Sequence, residues 1–163
     1  MGGIYLEEHK EYQIDLRNAI CSMGDLKEKL KIVGNVLSDV DWIAETEESF
    51  LLIEFKNWVK GHKLDGRDSK EKFYQSILRK YYGTAYYLLA SGKKKTMDFV
   101  LIIESPEIDN VIKKRAEASI KKRLPFKLQE YPEITSTLIA EFKIWSVAEW
   151  NEQYPMFPLE KCQ

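Results

Sequence analysis

Only two cysteines, Cys21 and Cys162, and two histidines, His9 and His62, occur in 163 residues. The cysteines form no CxxC or Cys/His spacing, which argues against a structural zinc site. Nothing in their placement asks for a disulfide, so each reads as an inert thiol. Neither histidine has a nucleophile or ligand partner at a useful spacing. GxxxxGK[ST], GxGxxG and GxSxG are all missing, which removes the sequence case for phosphate-loop, dinucleotide and serine-hydrolase chemistry. No run approaches the roughly 20 apolar residues a bilayer span needs, and Tyr5 to Asp15 is dense in charge where a secretory signal would be apolar. A soluble, intracellular protein of the cytoplasm, without membrane partners, is expected. There is no repeat and no low-complexity segment.

What is present is core material: 44% hydrophobic and 12% aromatic residues, enough for one compact domain over residues 1–163. The net charge of −1 hides an asymmetry, since residues 1–56 carry 12 Asp/Glu against 6 Lys/Arg, and residues 70–127 carry 14 Lys/Arg against 6 Asp/Glu. An acidic start beside a basic middle suits a site that holds a cation and attracts phosphates. The plainer alternative is that the charges cover solvated faces.

Periodicity predicts a helix over Tyr5–Met23, from Leu6, Tyr12, Leu16, Ala19, Ile20 and Met23, stopped by Gly24. A turn of helix is expected over Asp25–Lys31. Val36–Ala44 alternates as a strand, with Val40, Trp42 and Ala44 on one face and Asp39, Asp41 and Ile43 on the other. After the polar turn Glu45–Ser49, Phe50–Lys56 reads as a strand buried on both faces. The two should pair as an antiparallel hairpin. Asn57–Ser69 reads as a loop, Lys70–Ser91 as a helix closed by Gly92, and Thr96–Glu104 as a strand. A further helix opens at Pro106 and ends near Arg123, and Leu138–Trp145 reads as a strand. Ser146 and Glu149 form a capping-box pattern for a helix over Val147–Gln153, and Pro155 and Pro158 mark a tail. This order implies an α/β fold, a mixed β-sheet flanked by helices.

One constellation carries chemistry. Glu54 and Lys56 share a face at the end of an otherwise apolar strand, with Ile53 and Phe55 pointing the other way. Burying either charge alone would be costly. The hairpin should bring Asp41 near them, giving two carboxylates and an ammonium in one pocket. Two carboxylates suit Mg²⁺ or Mn²⁺, and such a cation polarises a phosphoryl oxygen and acidifies water. A lysine beside it can stabilise charge developing on the phosphate. The plainer alternative is a surface Glu54–Lys56 pair worth little energetically.

The stretch SDVDWIAETEESFLLIEFKNW resembles the Asp…Glu-x-Lys core of PD-(D/E)xK nucleases, the restriction-endonuclease-like fold. The resemblance implies a Mg²⁺-dependent (or Mn²⁺-dependent) hydrolase of DNA phosphodiester bonds. Asp41 and Glu54 would be metal ligands, the carbonyl of Phe55 a third, and Lys56 the catalytic lysine. The literal Pro-Asp pair is absent, since Val40 precedes Asp41. A catalytically inactive module of that fold, binding DNA or a partner protein, is the alternative, and many such proteins form homodimers. Asp39 is a rival for the first ligand. The family also draws a Glu from its first helix, for which Glu8 and Glu11 stand as candidates, and a Gln or Lys from the helix after the ExK strand, which points to Gln75, with Arg79 one turn on. The basic segments at Gly92–Thr96, Lys113–Arg115 and Ile120–Phe126 could meet a phosphate backbone, or be solvated helix ends. Tyr81, Tyr82, Tyr86 and Tyr87 read as core and rim rather than base-stacking platforms.

Overall fold

The computed structural model of the chain describes residues 1–24, 26–60 and 66–162, with Asn35 described by its backbone alone. His62, and Asp25 at the expected start of a short helix, lie outside the described residues. Among the described residues, eight strands and four α-helices follow one another along the chain. They are β1 (Ile4–Leu6), β2 (Tyr12–Asp15), β3 (Cys21–Gly24), α1 (Lys27–Leu30), β4 (Trp42–Glu45), β5 (Ser49–Asn57), α2 (Arg67–Ala90), β6 (Thr96–Glu104), α3 (Asn110–Lys121), β7 (Glu141–Trp145), α4 (Val147–Gln153) and β8 (Leu159–Lys161). A five-stranded mixed sheet has the order β3-β4-β5-β6-β7, antiparallel from β3 to β5 and parallel from β5 to β7. A second, antiparallel sheet has the order β1-β2-β8.

The helix expected over Tyr5–Met23 is not formed; three strands replace it. Tyr12, Ile14 and Leu16 are buried while Gln13 and Asp15 are half-exposed, a period of two. Leu6 and Ile20, which a helical face would need inside, are 52% and 53% exposed. The charged run between β1 and β2 is a turn held by the Glu7 carboxylate, which accepts the backbone N–H groups of His9 (2.8 Å) and Glu11 (2.7 Å). Lys10 completes it at φ 57°. The strand expected over Val36–Ala44 is confined to β4, and residues 31–36 form a 3-10 helix instead. The helix expected from Pro106 starts at Asn110, where the Asp109 carboxylate accepts Ile112 N–H. The strand expected from Leu138 begins at Glu141, and the proline-marked tail contributes β8.

Local patterns elsewhere gave the observed elements. The hairpin β4–β5 pairs Trp42 with Ile53 and Glu45 with Phe50. The Ser146–Glu149 capping box is formed in both directions. Gly92, at φ 75°, ends α2 in a left-handed conformation that suits glycine.

The large sheet lies between two apolar layers. Phe50 and Leu52 of β5 join Ile77, Tyr81 and Leu88 of α2 and Ile120 of α3 on one face. Leu51, Ile53 and Phe55 face the other way, onto Tyr12 and Ile14 of the small sheet and Trp150 of α4. The alternation along β5 thus sends Glu54 and Lys56 toward the α2 side.

Candidate active site

Three chain segments meet where β4 gives out beside β5. Ladder pairing of β4 with β5 ends at Trp42 and Ile53, so Phe55 has no strand neighbour on that side. Asp41, one residue before β4, supplies the missing partner: its Oδ2 accepts the Phe55 N–H at 2.8 Å. A strand residue sends its N–H and C=O to the same side, so the Phe55 carbonyl also leaves toward Asp41.

Two contacts with α2 fix the segment carrying Asp41. Thr84 Oγ1 accepts the Val40 N–H at 3.0 Å, and Gly83 lies so close to Ser38 that a Cβ there would stand 2.0 Å from the Ser38 carbonyl oxygen. Because residues 38–41 are outside the strand, their faces do not alternate as expected: Val40 joins the α2-side core, and Trp42 the opposite one. Asp39 Oδ2 accepts the Leu26 N–H at 2.6 Å, while the residue still lines the cleft beside Asp41 and its charge acts on Lys80.

Glu54 is fully buried, with 0% of its side chain exposed. Its Oε2 accepts from Lys80 Nζ at 2.9 Å, and Lys80 Nζ is also 3.5 Å from Asp41 Oδ1. Lys56 Nζ lies 2.6 Å from Glu54 Oε1, off the direction of a hydrogen bond, which leaves Oε1 a buried oxygen without one. Burial, with the Asp41 charge beside it, pushes the Glu54 carboxyl up to about 6 against the pull of Lys56 and Lys80. For Lys80, burial acts to lower the ammonium, but Glu54 and Asp41 outweigh it and hold the group above its ordinary value.

Asp41, Glu54 and Lys56 are therefore brought together, and Lys80 joins them. Gln75 is not: it is exposed and donates to Glu71 one turn away at 3.0 Å. Lys80 is not among the residues the sequence points to, which on α2 are Gln75 and Arg79. The usable signal was a lysine one turn from Ile77 and Thr84, at the margin of the buried stripe. The first-helix glutamates have no helix to sit on. Glu11 instead binds Asn57 Nδ2 at 2.5 Å and Lys60 Nζ at 3.1 Å.

A cleft of about 730 Å³ adjoins the cluster, lined by Asp41, Lys80, Arg79, Lys27, Glu8 and Leu37 among others. One cation in each basic segment is held by a carboxylate. Lys95 binds Glu45 at 2.9 Å, Lys113 binds Glu149 at 2.5 Å, and Arg123 binds Glu71 at 2.7 Å. Ser49 pairs with Thr96, so the Gly92–Thr96 segment meets β5 five residues from Glu54, roughly 16 Å at strand rise.

Among the described residues, no group of three or more His, Cys, Asp or Glu side chains is placed to hold a metal ion. Also among them, no helix is long and apolar enough to cross a membrane. No family model matches the chain, and neither a curated protein nor a solved structure matches it.

Proposed function

We propose that this chain is a Mg²⁺-dependent (or Mn²⁺-dependent) hydrolase of DNA phosphodiester bonds, built on a restriction-endonuclease-like PD-(D/E)xK fold. The observation that carries the reading is Glu54: a carboxylate with 0% exposure, bridged through Lys80 to a second carboxylate, Asp41, that lines a cleft. Burying a charge this way costs several kcal/mol, and apolar residues would fill the space more cheaply. An antiparallel hairpin followed by parallel strands with helices on the Glu54 face supports the fold assignment.

The donors fit a hard divalent cation. Mg²⁺ keeps several waters and takes only one or two carboxylates, and this site offers Asp41 Oδ1, the Glu54 oxygens and the Phe55 carbonyl. Such a cation supplies charge that polarises a phosphoryl oxygen and acidifies water. The chain's own part is to hold and to shield. Asp41 is fixed by Phe55 N–H, so it presents one oxygen in a set direction. Lys56, 28% exposed, would offer its positive charge to a phosphate. The α2-side core excludes water from behind Glu54.

Incubation of the purified protein with single- and double-stranded DNA and Mg²⁺ or Mn²⁺ tests this. Cleavage that Glu54→Ala and Lys56→Ala abolish is expected; no cleavage of any DNA form would overturn it. A second reading, a catalytically inactive module of the same fold that binds DNA or a partner protein, is favoured by one observation. Lys80 and Lys56 already neutralise the two carboxylates. DNA binding without cleavage, unchanged by Glu54→Ala, is the result that would select it.

A further inference from the structure

We infer that the ammonium of Lys80 is the resident cation of the Asp41–Glu54 pair, and that a divalent cation enters by displacing it into the adjoining cleft. The inference rests on the reading that these carboxylates hold a divalent cation, and it adds how that site is kept when none is bound.

Asp41 and Glu54 present four carboxylate oxygens. Asp41 Oδ2 is taken by the Phe55 N–H. Glu54 Oε1 faces Lys56, which belongs to the same strand. The remaining two, Asp41 Oδ1 and Glu54 Oε2, come from different segments and are the pair a bridging cation would use. Lys80 Nζ stands at 3.5 Å from the first and 2.9 Å from the second. Two carboxylates and two ammoniums make a neutral set, so the buried Glu54 is compensated without any ion. A divalent cation placed on the same oxygens would meet the ammonium within a few ångströms, a repulsion too large to coexist in a partly buried site.

The way out is short. Lys80 lines the cleft and is 22% exposed. Its flexible four-carbon stem can turn while α2 stays in place. The displaced ammonium then stands beside Arg79 in that cleft. Lys80 is in this sense a positioning residue that guards the cation site.

Mn²⁺ titration by calorimetry on the full chain tests the exchange. Lys80→Met and Lys80→Gln should bind Mn²⁺ more tightly than wild type, on the order of tenfold, as expected when a competing charge is removed from a coupled site. Lys80→Arg should show no such gain, and Glu54→Gln should lose binding in either background. Equal affinity in wild type, Lys80→Met and Lys80→Gln, with loss in Glu54→Gln, would overturn the exchange and leave the metal site standing. Absence of Mn²⁺ binding in every variant would overturn both. A second measurement needs no substitution: acetylation of Lys80 in wild type, read by mass spectrometry, should rise several-fold on adding Mn²⁺. No rise counts against the proposal even if the variants fail to fold.

Discussion

Asp41 and Phe55 are joined by a side-chain-to-backbone hydrogen bond of 2.8 Å that takes over where the β4–β5 ladder stops. A strand end that would otherwise expose an unpaired N–H is thus converted into a holder for a carboxylate. The site follows from this substitution of side chain for strand.

Gly83 should be intolerant of even one carbon. A Cβ would sit 2.0 Å from the Ser38 carbonyl oxygen, so Gly83→Ala must push the segment carrying Asp41 away from α2. Overpacking of this kind costs about 1–3 kcal/mol. Urea denaturation should show that loss, and a variant as stable as wild type would contradict the close approach.

Thr84→Val keeps the shape of a fully buried side chain and removes the acceptor for Val40 N–H. A buried donor left unsatisfied costs about 1–3 kcal/mol. Thermal unfolding should show the drop, while Thr84→Ser should retain much of the bond. Equal behaviour of the two variants would argue that the contact contributes nothing.

Glu54 gives a pH signature in protein stripped of metal by a chelator. Its carboxyl is raised from 4.5 to about 6 by burial first and by Asp41 second. The folded state therefore binds the proton more tightly than the unfolded one. This contribution to stability is present below pH 4.5 and fades as pH rises through 6. The shift corresponds to about 2 kcal/mol. Other carboxyls, such as Asp15 and Glu71, are shifted down and act with the opposite sign, so the readout is the difference from Glu54→Gln. Relative to that variant, wild type should lose stability between pH 4 and 7; a flat difference would show that Glu54 titrates normally.

If the proposed hydrolysis holds, Lys56 and Gln75 should differ sharply. Removing a charge aimed at a developing phosphate charge costs about 10²–10³ in rate, so Lys56→Met should nearly silence cleavage. Gln75→Ala, whose side chain is exposed and tied to Glu71, should leave the rate within about twofold, as surface changes usually do. A large loss in Gln75→Ala would mean that α2 presents a different face to substrate.

The sequence by itself determined the elements whose signal is local. β5 and β6 declare themselves as apolar runs, α4 by its capping box, and the end of α2 by Gly92. The period of two places Glu54 and Lys56 on one face. It did not determine the N-terminal third, because Leu6, Tyr12, Leu16 and Ile20 suit a helical stripe as readily as three short strands and their turns. The choice was made by partners far along the chain, β8 for β2 and β4 for β3, and by the Glu7 turn. Only the tertiary structure decided what surrounds Glu54. Asp41 reaches it because residues 38–41 leave the strand and lean on Gly83 and Thr84. Lys80 reaches it because α2 packs over β5 at one register. Charges distant in sequence are brought together by the burial of apolar neighbours, and sequence spacing alone carries no measure of that approach.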